Sequence, residues 1–234
     1  MRLRYVALTF SLVMLFEISA ATRALASEVA AHADLFGGPA PSFELGTNEP
    51  ETPAPPAPVP TPLEFEASMV ADKESYTDVF SILREDNSCS RFFGGAARAA
   101  GVFNQLVPRM RKKSLGDKET GIRMSGSYTH YEDNITGASY RLFDEVAVNT
   151  DGPFFRKIPT QRVGAMNVGR FPAWTRQARA LLLLHELAHL VRGESGGWLI
   201  PNDGGNASLS AQNTRAVEKA CLGQLLALEE RHAE

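Results

Sequence analysis

Hydrophobic residues are densest between Leu181 and Val191, where the chain reads Leu-Leu-Leu-Leu-His-Glu-Leu-Ala-His-Leu-Val. The run is built from strong helix formers and has no internal Gly or Pro, so it predicts a helix. Pro172 suits the first helical position and Gly193 suits a cap after the last turn. Apolar residues cover nearly every face of the second half, which predicts a buried helix over 171–192.

Three polar residues interrupt this apolar run. Residues four apart on a helix share one face, so His185 and His189 direct two imidazoles towards one point, a spacing that suits a tetrahedral metal ion. Glu186 lies about 100° around the helix from His185, where it can reach a water on the metal without binding the metal. The pattern His-Glu-x-x-His therefore predicts a zinc site with Glu186 as general base. The plainer alternative is a core helix whose histidines have backbone partners.

The residues before this helix predict two helices and a small sheet. Residues 73–85 and 90–110 have helical patterns, and the basic residues 109–113 suit the C-terminus of the second helix. Between 121 and 155, Tyr, Phe and Val are interspersed with Gly and Asn-Asp turns, which predicts two or three strands.

A last helix is predicted at 209–230, capped by Ser208 or Ser210. Its inward face is predicted to carry Asn213, Val217, Cys221, Leu225 and Leu228. The order of elements predicts an α+β domain with N-terminal helices, a small antiparallel or mixed sheet, a buried central helix and a C-terminal helix.

The N-terminal quarter has a different composition. Residues 1–26 have a basic start, an uncharged apolar run and a small-x-small end, which predicts a secretory signal peptide. Residues 27–62 predict a Pro-rich linker or a removable pro-segment, because nine of the fourteen prolines fall between 37 and 62. The folded domain is then expected to span 63–234.

Two cysteines and a mild negative charge agree with export. An exported chain with two cysteines most simply pairs them, so we predict a disulfide between Cys89 and Cys221, with two buried free thiols as the alternative. The formal net charge is −3 and no basic stripe is present, which argues against a nucleic-acid partner.

The motif at 185–189 resembles that of the zincin metallopeptidases, and the order of strands, motif helix, turn and helix extends the likeness loosely over 128–230. In zincins the two histidines bind zinc and the glutamate activates the metal-bound water, so the resemblance implies those roles here. The longer metzincin motif would need Gly and His where this chain has Arg192 and Ser195. The chain also resembles small exported bacterial proteins.

A third zinc ligand is expected, because catalytic zinc usually takes three protein ligands and one water. Asp203 lies fourteen residues beyond His189, in a loop whose two glycines let the backbone turn back towards the helix. Glu218 is the alternative, as in zincins whose third ligand is a glutamate. Among the other histidines, His32 precedes the predicted domain and His232 lies in the terminal tail.

Further polar residues are candidates for supporting the site. Asn213 is predicted either to cap a turn or to hold a ligand or the Asp203 loop. The candidates for stabilising a developing oxyanion are Asn206, Tyr128, Tyr131 and His130.

The sequence therefore predicts an exported, zinc-dependent peptidase. Its substrate would be a peptide or protein that adds as an extra strand along an open edge at residues 140–149. No membrane insertion is expected after signal removal. Two alternatives remain, namely a zinc-stabilised binding module whose metal is closed by a fourth protein ligand, and an exported interaction domain without metal.

Overall fold

The structure is a computed structural model that describes residues 57–64, 73–158, 166–193 and 195–230. Its architecture is α+β, with the predicted order of elements. The helices are α1 (Lys73–Arg84), α2 (Ser88–Phe92), α3 (Ala96–Leu106), α4 (Arg176–Leu190) and α5 (Ala207–Glu230). The strands are β1 (Met110–Lys113), β2 (Ile122–Asp133), β3 (Ala138–Asn149), β4 (Asn167–Val168) and β5 (Phe171–Pro172).

The single helix predicted at 90–110 is wrong, because the chain forms two helices there. Gly94 and Gly95 separate α2 from α3 with φ angles of 87° and 102°, which other residues rarely adopt. Asn87 starts α2 with a capping box, in which its side chain accepts from the Ser90 backbone and the Ser90 hydroxyl accepts from the Asn87 backbone. The glycine pair is therefore a break between helices.

Residues 110–113 form strand β1, so the prediction that they end a helix is wrong. Pro108 lies in a short 3-10 turn, Val107–Arg109, and Met110 leaves this turn with extended backbone angles. β1 then pairs in parallel with β3, which satisfies backbone groups that a helix would have satisfied internally. Met110 is buried and the three basic residues after it are exposed.

β3 is the central strand of a three-stranded sheet with the order β1-β3-β2. β2 runs antiparallel to β3, and a bulge between Ser125 and Tyr128 interrupts their register. The prediction that 140–149 offer an open edge is wrong, because β3 pairs with β2 on one side and its last residues pair with β1 on the other. The outer strands of this sheet are β1 and β2.

Helix α4 starts later than predicted. Residues 171–172 pair with β4 as strand β5, and Trp174 has a φ of 71°, which a right-handed helix does not allow. Thr175 then caps the helix, because its side chain accepts a hydrogen bond from the backbone N–H of Ala178 at 3.2 Å.

Helix α4 also ends earlier than predicted. Val191 has extended backbone angles and forms an isolated antiparallel bridge with Tyr140 of β3. Gly193 is therefore not the cap of this helix, since pairing with the sheet draws the chain out of the helix first.

The burial predicted for α4 is confirmed. The fully buried side chains of this helix include Leu181, Leu183, Leu184, Leu187 and Leu190. The helix packs against α1 and α5. Arg176 Nε donates to Asp78 Oδ2 at 2.9 Å, and this largely buried ion pair fixes the first turn of α4 to α1.

Helix α5 begins at Ala207, because the Asn206 side chain accepts a hydrogen bond from the backbone N–H of Leu209 at 3.1 Å. Ser208 and Ser210 lie inside the helix, so neither is its cap. The inward face is confirmed, since its five predicted members are all buried: Asn213, Val217, Cys221, Leu225 and Leu228.

The predicted disulfide joins Cys89 on α2 to Cys221 on α5, with 4.3 Å between their Cα atoms. Both residues are fully buried. Structural disulfides persist in oxidising compartments, so this bond indicates that the chain folds in such a compartment.

The predicted signal at 1–26 and most of the predicted linker lie outside the described residues. At the end of the linker, the Thr61 carbonyl accepts a hydrogen bond from Asn104 Nδ2 at 2.9 Å. The Leu63 backbone N–H donates to the Tyr76 hydroxyl at 2.6 Å. Among the described helices, none has the length and apolar composition needed to cross a membrane.

We predict that replacing both cysteines by serine lowers the free energy of unfolding by about 4–5 kcal/mol, because the bond closes a loop of 132 residues. Urea denaturation of the oxidised chain and of the variant, followed by circular dichroism, measures the difference. As a control, the variant is also measured with a reducing agent, which should leave its midpoint unchanged because it has no disulfide. Equal midpoints for the oxidised chain and the variant would contradict the prediction.

Candidate metal centre

Helix α4 brings two imidazoles together in the core. His185 and His189 lie one helical turn apart, and their Nε2 atoms are 3.1 Å from each other. Both residues are buried, at 5% and 4% exposure. The predicted convergence of the two histidines is therefore confirmed.

Asp203 approaches the same point from the loop between α4 and α5. Its Oδ2 lies 3.4 Å from His185 Nε2 and 3.6 Å from His189 Nε2. Gly204 and Gly205 follow it with φ angles of 52° and 83°, so the predicted role of the glycine pair in turning the backbone is consistent with the structure.

The loop is anchored to α5 on both sides of Asp203. Asn213 Nδ2 donates to the carbonyl oxygen of Pro201 at 2.9 Å, and Asn213 is buried at 3% exposure. The Asn206 backbone N–H donates to the Asp203 carbonyl oxygen at 2.6 Å. Asn213 thus holds the Asp203 loop, which is one of the roles predicted for it.

The three groups fit a metal ion. Two atoms that bind a tetrahedral zinc ion at about 2.0–2.1 Å lie about 3.3–3.4 Å apart. The observed separations of 3.1, 3.4 and 3.6 Å bracket that value. The set of His185, His189 and Asp203 could therefore hold one metal ion.

Thr214 on α5 determines which ring nitrogen of His185 carries the proton and which one has a free lone pair. Its hydroxyl lies 3.1 Å from His185 Nδ1 and donates to the carbonyl oxygen of Ser210 at 2.9 Å. A hydroxyl has one proton, and a carbonyl can only accept, so the Thr214 oxygen accepts from the Nδ1–H of His185. The lone pair of His185 then lies on Nε2, the atom that faces Asp203.

The charges of the site also suit metal binding. Burial lowers the pKa of His185, which keeps its imidazole neutral near pH 7, although Asp203 partly opposes this shift. The side chains of His185, His189 and Ser210 around the carboxylate hold the pKa of Asp203 far below its usual range. A neutral imidazole and an ionised carboxylate are the forms that bind a metal.

The ring of His189 has one polar atom whose hydrogen bonding is unsatisfied. Its Nδ1 is buried and has no hydrogen-bond partner among the described residues. A buried polar atom without a partner costs free energy, so burial of this imidazole is unfavourable at Nδ1.

Glu186 lies beside the ligand group in an open cleft of about 1310 Å³. The cleft is lined by residues from β2, α4, α5 and the Asp203 loop, including Ile122, Met124, Thr214 and Glu218. Burial, and then the charge of Asp203, raise the pKa of Glu186 well above its usual value. That is the direction required of a carboxylate that accepts a proton near neutral pH.

Glu218, the alternative ligand, has a different partner. Its Oε1 accepts a hydrogen bond from Arg170 Nε, and its carboxylate lies directly against Gly169, where a Cβ would overlap it. Glu218 lines the cleft, but the metal-binding group of the described residues does not include it.

The four residues predicted to stabilise an oxyanion do not line the cleft. Asn206 caps α5. His130 stacks on Trp198, and Tyr131 stacks on Tyr140 with 5.3 Å between ring centroids. Tyr128 packs edge-on against His130, with ring centroids 5.1 Å apart. His32 and His232 lie outside the described residues.

Sequence reasoning missed Thr214, Ser210 and Arg141. Ser210 and Thr214 are four apart on the predicted last helix, and this spacing is the signal that could have indicated one shared polar face. Arg141 carries no such signal, because its approach to His189 depends on how β3 packs against α4.

Comparisons of the chain with protein-family models, with curated proteins and with solved structures give no match. What can be said about function therefore depends on the geometry of the site.

We predict that Thr214→Val weakens zinc binding about 10–100-fold, because His185 Nδ1 loses the acceptor that fixes its orientation. Thr214→Ser retains the hydroxyl and should bind zinc like the native chain. Competition with a fluorescent zinc chelator measures both affinities. Equal affinities for the valine and serine variants would contradict the role assigned to the hydroxyl.

Proposed function

We propose that this protein is an exported, zinc-dependent peptidase of the zincin type. The observation that carries the proposal is the meeting of His185, His189 and Asp203 at one point, with Glu186 beside them in an open cleft. The adjacent glutamate distinguishes this arrangement from a purely structural metal site.

The ligand set supports an open coordination position. A structural zinc ion usually has four protein ligands, whereas a catalytic ion keeps one position for water or substrate. The metal-binding group of the described residues has three members, and Arg170 already holds the carboxylate of Glu218. These contacts favour the catalytic proposal over the zinc-stabilised binding module.

Each residue of the site has a separate role in the proposed reaction. A bound zinc ion would lower the pKa of water and polarise the scissile carbonyl group. His185, His189 and Asp203 hold the ion, and Thr214 keeps His185 in the required tautomer. Glu186 accepts a proton from the attacking water and delivers it to the leaving amine nitrogen as the C–N bond breaks.

The edge of β2 is proposed to align the peptide. The Asn149 backbone N–H donates to the Gly121 carbonyl at 3.0 Å, so these two residues form a hydrogen-bonded antiparallel pair. In an antiparallel ladder, hydrogen-bonded pairs alternate with pairs whose backbone groups point away from the partner strand. Ile122 and Met124 belong to the second kind, so their N–H and C=O groups point to the open edge of β2. Both residues line the cleft, so an extended peptide could add there as a strand.

Export is proposed from two observations. The Cys89–Cys221 disulfide indicates an oxidising compartment. The pattern of residues 1–26 is that of a cleaved secretory signal. The proposed substrate is then a peptide or protein outside the cytoplasm.

We predict that Glu186→Gln abolishes peptide hydrolysis while zinc remains bound, because the amide keeps the shape of the side chain but cannot accept the proton. A quenched-fluorescent peptide library measures hydrolysis by the zinc-loaded chain, and atomic emission measures zinc in both proteins. Glu218→Gln is the matched control, since it changes a carboxylate in the same cleft and should retain activity. Hydrolysis by Glu186→Gln at the native rate would rule out the assigned role.

A further inference from the structure

Arg141 is a buried cation in the wall of the cleft. It lies on β3 with 6% exposure and lines the same cleft as Glu186 and the ligand group. Its Nε donates to the carbonyl oxygen of His189 at 3.0 Å. The same histidine thus offers its ring to the metal-binding group and its backbone to Arg141.

Aromatic rings hold the guanidinium group in place. Its central carbon lies 4.0 Å from the ring centroid of Trp198, 5.2 Å from that of Phe143 and 5.3 Å from that of Tyr128. A planar cation packed in this way has a fixed orientation before any ligand arrives.

The charge of Arg141 has no carboxylate partner among the described residues. Arg176 shows the contrast, because this buried arginine is paired with Asp78 through two hydrogen bonds. Only 6% of Arg141 is exposed, so its charge is largely removed from water. The carbonyl at the end of α4 and the aromatic rings offset part of this cost, but they leave N–H groups of the guanidinium without an acceptor of opposite charge.

We propose that Arg141 binds a carboxylate group of the substrate, so that the cleft selects acidic peptides. The carboxylate is either the C-terminus of the peptide or an acidic side chain close to the scissile bond. A guanidinium fork binds a carboxylate through two parallel hydrogen bonds, which fixes the position of the bound peptide as well as adding affinity. Because Arg141 contacts the backbone of a metal ligand, the bound carboxylate would lie close to the reaction centre.

This inference rests on the proposed peptidase function for the nature of the ligand, but its test needs no turnover. The full chain carrying Glu186→Gln, loaded with zinc, is titrated calorimetrically with three probes. They are N-acetyl-Ala-Ala-Ala as the free acid, the same peptide as the C-terminal amide, and N-acetyl-Ala-Glu-Ala amide. The first and third probes separate the two sources of carboxylate.

The expected result is that one of the carboxylate probes binds about 10–100-fold more tightly than the neutral amide, as for a charge-assisted hydrogen-bonded pair. Adding Arg141→Gln should abolish this preference. Adding Arg192→Gln should retain it, because Arg192 also lies over Trp198, at 5.0 Å, but does not line the cleft. If the carboxylate bound to zinc and not to Arg141, the preference over the neutral amide would persist in both variants.

Equal affinity for all three probes would overturn the inference, and so would a preference that survives Arg141→Gln. If the glutamine variant does not fold, Arg141→Lys replaces it, since lysine keeps the charge at the end of α4 but lacks the planar fork and should lose most of the preference. The two proposals can fail separately. If the Glu186→Gln chain shows the preference but the chain with native Glu186 hydrolyses no peptide, the peptidase proposal is refuted and the carboxylate site remains.

Discussion

The burial of two imidazoles in an apolar core, beside a partly exposed carboxylate, is the constraint on which the rest of the structure depends. Polar groups removed from water must be compensated by partners. The ring of His185 has Thr214 as its hydrogen-bond partner, and the two histidine rings and Ser210 lie around the Asp203 carboxylate. The one exception is His189 Nδ1, which has no hydrogen-bond partner in the described part of the chain. A metal ion at the meeting point would instead bind the Nε2 atoms of the two histidines and the Asp203 carboxylate.

Helix α5 supplies many of the partners that compensate these polar groups. Ser210 and Thr214, one turn apart, face Asp203 and His185, while Asn213 holds the loop that carries Asp203. Two turns further on, Cys221 fixes the same helix to α2 through the disulfide. The covalent bond and the site therefore share one rigid element, so that fixing α5 also limits the movement of the third ligand.

The part of the site that could be predicted from the sequence is the part whose geometry is local. Four-residue spacing on a helix places His185 beside His189 wherever the helix lies, and the glycine pair allowed Asp203 to be predicted from a short loop. Thr214 and Arg141 could not be predicted, because their contacts depend on how α5 and β3 pack against α4. The fold shows the same division, since the first, central and last helices and the strands after residue 121 were predicted, but the break at Gly94 and Gly95 and the parallel pairing of β1 were not.

The measurement that tests the central claim most directly is the zinc content of the purified full chain, set beside Asp203→Ala and Glu218→Ala. Both replacements remove a carboxylate from the same cleft, so they share any general effect of lost charge. The account predicts one zinc ion per chain in the native protein and in Glu218→Ala, and its loss in Asp203→Ala. Zinc retained by Asp203→Ala but lost from Glu218→Ala would contradict it, as would a native chain that binds no zinc after reconstitution.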